Sequence, residues 1–324
     1  MRVLVTGAAG FIGHHIVQTM AEAGHEVICL DRIDSTSTLE RLKGIKGART
    51  IWHDLRSPIN ELLGKMIGPV DYIYHLAAST HVDRSIQNSM EFVFDNVVGT
   101  ANLLEFARTL PDLKLLVNFS TDEVYGPAPD GIEYKETDRF DARNPYSATK
   151  AAAVDLVHAY ANTYGLPCLT TFCMNAFGEG QHPEKFLPFV IRSLILGETV
   201  PIHIDPRDNK PGSRFYIDVK DIANIMLDIM EKLAKGKEVP DRMNIPGVKE
   251  VDNLAMAQAI AKAADMYLNY ELVDFHSTRP GHDLRYALEG SVLKAHGLDN
   301  YTSFEASMKR TVTWYLENRE WLML

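Results

Sequence analysis

The sequence predicts an α/β protein: a Rossmann-type doubly wound parallel sheet with a smaller C-terminal α/β substrate domain. Three observations predict it. Strand-like apolar runs alternate with amphipathic helices through the first half of the chain. A glycine-rich turn, Gly7-x-x-Gly10-x-x-Gly13, stands between the first strand and the first helix. After Cys173 the regular alternation breaks down. The expected division is therefore residues 1–174, with part of 214–245, for a dinucleotide-binding domain, and mainly 175–324 for the second.

Arg2–Thr6 reads as the first strand, and the helix after the glycines runs to about Ala23. Glycines there permit a tight turn and the close approach of a pyrophosphate to backbone amides at a helix N-terminus. The second strand, Glu26–Leu30, ends at Asp31, where a carboxylate accepts hydrogen bonds from ribose hydroxyls and disfavours a 2′-phosphate. That points to NAD, although Arg32 is a residue type that binds such a phosphate. Ala48–Trp52 and Val70–Tyr74 read as the third and fourth strands, and Met90–Leu110 as a helix. His75 and His81 are expected as packed or loop histidines.

The next segment concentrates the chemistry. An apolar strand, Leu113–Phe119, leads into Ser120-Thr121-Asp122-Glu123-Val124-Tyr125-Gly126. A polar cluster at the carboxyl end of a sheet strand lies where ligands bind in open α/β folds. Pro145 starts a helix, so Tyr146 and Lys150 share one face. An ammonium beside a phenol lowers its pKa, which makes Tyr146 a candidate general base. Beyond it, Ala151–Tyr164 continues the helix, Leu166–Cys173 is a strand, and Glu184–Leu196 opens a further helix. His203–Arg214 reads as a loop; Asp221–Ala234, Asp252–Ala264 and Ser303–Asn318 read as helices.

Composition narrows the class. Hydrophobic residues at 46% are ordinary for a soluble globular protein. No apolar run spans a bilayer, and no leader is expected before the first strand. With 33 basic against 43 acidic residues the net charge of −10 argues against general nucleic-acid binding. Cys29, Cys168 and Cys173 lie in apolar runs and read as buried thiols of a reducing cytoplasm; no metal spacing appears.

With these residues in hand, the chain resembles the extended short-chain dehydrogenase/reductases, and within them the nucleoside-diphosphate-sugar 4,6-dehydratases, the dTDP-glucose enzymes nearest. The most specific stretches are Thr121–Gly126, the His81-Val82-Asp83-Arg84-Ser85-Ile86 loop, and Arg279-Pro280-Gly281-His282-Asp283 with Arg285-Tyr286-Ala287. The resemblance implies a recycled NAD and catalysis by Thr121, Asp122, Glu123, Tyr146 and Lys150. Thr121 would hydrogen-bond O4 of the sugar, Tyr146 would take its proton, Glu123 would act as base at C5, and a protonated Asp122 would donate to the departing 6-hydroxyl. Gly7, Gly10, Phe11, Ile12, Gly13, Asp31, Asp54, Leu55, Leu76, Ala77 and Ala78, with Tyr146 and Lys150, would line the cofactor. Asn175, Lys185, Leu187, Arg214, Asn244, Arg279 and Tyr286 would hold the sugar nucleotide. The implied assembly is a homodimer through the Met90–Leu110 and Tyr146–Tyr164 helices. Departures occur at Ala176 and Phe177, where the family has Asn and Tyr, in the short segment after Asp31, and in the 203–212 loop. dTDP-glucose, UDP-glucose and UDP-N-acetylglucosamine are all open as substrates. An epimerase or decarboxylase of the same superfamily lacks need of the Asp122/Glu123 pair, and a non-catalytic nucleotide-sugar-binding protein lacks need of any of the five.

Overall fold

A computed structural model describes residues 1–34, 37–205, 209–274 and 285–323. Its centre is a seven-stranded, wholly parallel sheet. The strands are β1 (Arg2–Thr6), β2 (Glu26–Asp31), β3 (Ala48–Trp52), β4 (Tyr72–His75), β5 (Leu115–Thr121), β6 (Cys168–Cys173) and, late in the chain, β11 (Arg242–Ile245). Their order is β11-β6-β5-β4-β1-β2-β3, so the winding direction reverses between β1 and β4. Ligands bind at such a reversal, outside the carboxyl ends of the strands.

The inner strands are largely apolar because both faces are covered. Alternate residues supply two cores. Val3, Val5, Val27, Cys29 and Val117 face α1 (Phe11–Glu22) and α8 (Val219–Ala234). Leu4, Ile28, Ile73 and Leu116 face the other way, toward Leu103, Leu104 and Val157. Each such side chain contributes about 1.5–3 kcal/mol by leaving water.

Helix α2 (Glu61–Ile67) precedes β4, and α3 (Val82–Gln87) follows it. The expected 90–110 helix is interrupted. It consists of α4 (Ser89–Phe92), a π-helical segment (Val93–Val98) and α5 (Gly99–Ala107). The widened turn brings the adjacent polar residues Asp95 and Asn96 both inward, which the hundred-degree step of a regular α-helix opposes. Helix α6 (Pro145–Tyr164) begins with a capping box in which Asn144 and Ser147 exchange hydrogen bonds, and ends at a left-handed Gly165.

Past β6 lie β7 (Asn175–Phe177), α7 (Phe186–Leu196), β8 (Val200–Asp205), β9 (Lys210–Pro211) and β10 (Ser213–Asp218). The 203–214 stretch expected as a loop therefore carries three strands. The alternation of Val200, Ile202 and Ile204, all buried, is the strand period, and intervening prolines and polar residues mask it. β12 (Lys249–Asp252) joins β10 and β7, and β13 (Tyr270–Asp274) joins β8 and β9. With α9 (Asn253–Ala264) and the Phe304–Glu317 helix these elements enclose a third core around Phe177, Ile191, Met256 and Tyr315. Among the described residues no helix is long and apolar enough to cross a membrane.

Candidate active site

A cleft of about 850 Å³ runs along the carboxyl ends of β1, β4, β5 and β6. At one end lies the glycine loop. Gly7 has φ +67°, and a Cβ on it would stand 2.6 Å from the Ala77 amide nitrogen; a Cβ on Gly13 would collide with the Gly7 carbonyl. The first turn of α1 carries no acidic residue, and Gly10 offers no side-chain cap. Its amides are therefore open to a pyrophosphate, and the loop admits only bare backbone. Asp31 accepts from the Ala9 amide at 2.8 Å and the Ile33 amide at 3.0 Å, which fixes its carboxylate at the rim. Asp54, Leu55, Leu76, Ala77 and Ala78 line this end, and Phe11 and Ile12 lie further along the same cleft. The residues fit a dinucleotide.

Where β5 ends, the chain turns into a short 3-10 segment, Asp122–Tyr125, closed by Gly126 at φ +78°. The Thr121 hydroxyl donates to Asp122 Oδ1 at 3.0 Å and accepts from the Glu123 amide at 3.3 Å. Asp122 is only 4% exposed, and its Oδ2 is buried without a hydrogen-bond partner. Burial first, and the adjacent Glu123 charge second, push its carboxyl up to about 7. Glu123 is partly exposed, and its Oε2 accepts from Asn144 Nδ2 at 3.1 Å.

Tyr146 and Lys150 come up beside this strand end on α6, as their spacing predicts, and both line the cleft. The expected electrostatics differ. Lys150 Nζ donates to the Phe119 carbonyl at 2.6 Å, and burial lowers the ammonium to about 8. The Tyr146 phenol is pushed up, by burial and then by Glu123, against a smaller downward effect of the Thr121 hydroxyl. So the lysine alone does not bring the phenol down; its charge is committed to a backbone carbonyl. His75 is packed between Thr6 (2.8 Å) and Thr100 (2.9 Å), with its imidazole lowered to about 3 by burial.

At the far end, Asn175 and Lys185 line the cleft, and Asn175 Nδ2 is buried without a partner. Arg214 stands 4.7 Å over the Tyr286 ring, and its charge reaches Asp122. Two of the expected contact residues do not line the cleft. Leu187 packs inside the C-terminal core, away from the cleft wall, because its place in the first turn of α7 turns it toward Val190 and Ile191. Asn244 is fully buried in β11; its amide nitrogen donates to Glu136 at 2.8 Å, and its Nδ2 to the Tyr134 and Glu289 carbonyls. It therefore ties strands and segments together behind the site. Arg279 lies outside the described residues.

Sequence reasoning missed several groups. Asp95, Arg56 and Ser79 stand at the adenosine end, and Arg41 bridges the Ala9 and Gly180 carbonyls at 2.8 and 3.1 Å. The signal for Asp95 was a polar pair inside the apolar helix Val93-Phe94-Asp95-Asn96-Val97-Val98. Cys173, read only as a buried thiol, also faces the cleft. Among the described residues no group of three His, Cys, Asp or Glu is placed to hold a metal.

Comparison with known proteins agrees with this geometry. Residues 3–245 match the model of the NAD dependent epimerase/dehydratase family. A dTDP-glucose 4,6-dehydratase of Xanthomonas campestris is 36% identical, over 98% of this chain and 94% of its own. A trifunctional UDP-glucose 4,6-dehydratase/epimerase/reductase of Arabidopsis thaliana is also 36% identical over 98% of this chain, which spans about half of that longer protein (47%). Among solved structures, the dTDP-glucose 4,6-dehydratase DesIV of Streptomyces venezuelae, with NAD and TYD bound, superposes with TM-score 0.87 at 33% identity, covering 99% of this chain and 98% of that one. The chain belongs to the NAD-dependent epimerase/dehydratase family of extended short-chain dehydrogenase/reductases, on its nucleotide-sugar 4,6-dehydratase side.

Proposed function

We propose that this chain is an NAD-dependent nucleoside-diphosphate-hexose 4,6-dehydratase, a hydro-lyase that converts the bound hexose to its 4-keto-6-deoxy form. One observation carries the reading: Asp122, a buried carboxyl with one free oxygen and a pKa lifted to about 7, adjoins the more exposed carboxylate of Glu123. Eliminating water across C5–C6 needs an acid and a base side by side, and environments that push two carboxyls apart assign the roles. Epimerisation at C4 needs neither.

Bound along the glycine loop, NAD supplies the hydride acceptor for C4, the hydride returned to C6 and, when oxidised, a positive charge that draws the Tyr146 phenol down. Tyr146 takes the proton of the 4-hydroxyl while Thr121 holds O4. The 4-ketone acidifies C5, and Glu123 removes that proton. Asp122 gives its proton to the departing 6-hydroxyl, which leaves as water. Glu123 then returns its proton to C5, and the proton on Tyr146 restores Asp122. Lys150 holds α6 against β5 through Phe119, which fixes the phenol in place.

Asn175, Lys185 and Arg214, with Tyr286 under the Arg214 guanidinium, support binding of the sugar nucleotide, and Arg279 joins them on the sequence alone; Arg favours a diphosphate by charged, often bidentate contacts. The base and sugar follow from one experiment. Incubation with dTDP-glucose, UDP-glucose and UDP-N-acetylglucosamine separately, without reductant, is expected to remove one water from one of them, with no net NADH, by mass spectrometry. An unchanged mass with a C4-epimer would overturn the dehydratase in favour of the epimerase.

Residues 1–174 with part of 214–245 would hold the cofactor, and mainly 175–324 the sugar nucleotide. β11 and α8 on the large sheet support that division. Exposed Ile86, Met90, Phe94 and Tyr164 on the α3–α6 face support a homodimer; a monomeric mass in light scattering would sink it. Three free cysteines support a reducing cytoplasm.

A further inference from the structure

The adenosine end of the cleft contains two arginines and four aspartates: Arg32, Arg56, Asp31, Asp34, Asp54 and Asp95. An arginine directly after the ribose-binding acid is the usual partner of the 2′-phosphate of NADP. Arg32 occupies that position in sequence and lines this end, yet its guanidinium is already paired. Its Nη1 and Nη2 donate to the two oxygens of Asp95 at 2.6 and 2.8 Å. Arg56 Nε reaches Asp95 Oδ1 at 2.8 Å, and the Ser79 hydroxyl donates to Oδ2 at 2.5 Å. Asp95 is nearly buried, so both cations are held against the π-helical segment by a carboxylate that has little access to water.

We propose that Asp95 is a specificity-determining residue for the cofactor: by pairing with both Arg32 and Arg56 it keeps the adenosine end closed to a 2′-phosphate and so selects NAD over NADP. Asp31 contributes its own charge against the phosphate, but a carboxylate beside a free arginine pair is not decisive, because two guanidiniums outweigh it. Bidentate pairing removes that option, since the fork of Arg32 is already filled by a carboxylate of the same geometry a phosphate would present. Arg32 is further held by Asp34 at 3.1 Å, and Arg56 by Asp54 at 3.4 Å, so both guanidiniums that line this end are matched by carboxylates. The same contacts tie this end to the reaction end. Ser79 exchanges backbone hydrogen bonds with the Asn96 side chain at 2.8 and 3.0 Å, Asn96 Nδ2 donates to Thr149 Oγ1 at 3.0 Å, and Thr149 donates to the Tyr146 carbonyl at 2.8 Å.

The proposal rests on NAD binding at the glycine loop and not on the dehydratase reading, so its test avoids turnover. Parent, Asp95→Asn and Asp95→Thr would be purified, denatured, and their released nucleotide identified by mass spectrometry; NAD and NADP titrations followed by thermal shift give the affinity ratio. The parent is expected to release NAD. Each Asp95 variant is expected to shift the NADP:NAD affinity ratio upward by about ten-fold or more, because a freed guanidinium gains a charged phosphate contact. Adding Arg32→Gln to Asp95→Asn should return the ratio most of the way. A ratio unchanged in whichever Asp95 variant folds would overturn the proposal, as would a raised ratio that survives Arg32→Gln. A merely structural role for Asp95 would weaken both nucleotides alike and leave the ratio in place.

Discussion

Two nearly buried aspartates, some distance apart on one cleft, are treated in opposite ways. Asp95 is 8% exposed and receives two guanidiniums and a hydroxyl. Asp122 is 4% exposed and receives one hydroxyl on one oxygen, nothing on the other, and a second carboxylate as its neighbour. Burial penalises a bare charge by several kcal/mol, and partners return most of it. The first carboxylate is thus a structural anion that organises cations. The second is kept near neutrality, which is the form a proton donor needs. Residue type and burial are shared; only the partners differ, and they separate a carboxylate matched by cations from a carboxyl held toward its neutral form.

The largest expected effect breaks the second half of that comparison. Asp122→Asn should lower dehydration by roughly 10²–10⁴, the range for removing a general acid. NADH absorbance should still appear with substrate, since C4 oxidation does not use this proton. Full turnover in the variant would refute the acid assignment.

The same substitution should stabilise the fold at alkaline pH. The carboxyl of Asp122 is raised in the folded state, so its favourable contribution is complete below the unfolded pKa near 4 and is lost as pH rises through about 7. Above that pH the buried charge opposes folding. Asp122→Asn should therefore gain ~2–4 kcal/mol at pH 9 and little at pH 5, read as a difference in denaturation midpoints. Parent turnover should fall with the same group as pH rises past about 7, and that limb should be missing from the residual activity of the variant.

Asp95→Asn sharpens the contrast by its sign. It leaves two arginines short of a carboxylate and should cost ~1–3 kcal/mol at every pH between 6 and 9, measured by urea denaturation. A stabilised Asp95→Asn would mean the two aspartates are not opposites. The smallest effect is at Asn144, which caps α6 and donates to Glu123. Asn144→Ala should cost ~1 kcal/mol of stability and slow turnover several-fold by loosening Glu123. A slowed turnover at unchanged stability would place the effect on Glu123 alone.

Much of this is legible in the sequence. The glycine loop, the Pro145 helix and the strand ending in Thr121-Asp122-Glu123 are local signals, each carried by a few consecutive residues whose backbone preferences or periodicity suffice. The strands of 200–218 were not, because proline and polar residues hid a two-residue alternation. The π-helical segment was not either: its register depends on which polar side chains find partners across the sheet, and Asp95 finds Arg32 63 positions away in sequence.

By itself, then, the sequence determined the doubly wound class, the cofactor loop and which polar groups gather at the strand end, since spacing along one strand or helix places them. Tertiary structure decided their electrical states. Asp122 is pushed toward its neutral form because a buried wall and Glu123 meet there, Arg32 is paired because Asp95 is folded against it, and Lys150 is spent on Phe119. Charge state depends on solvent exclusion and on partners distant in the chain, and neither is written in the order of residues.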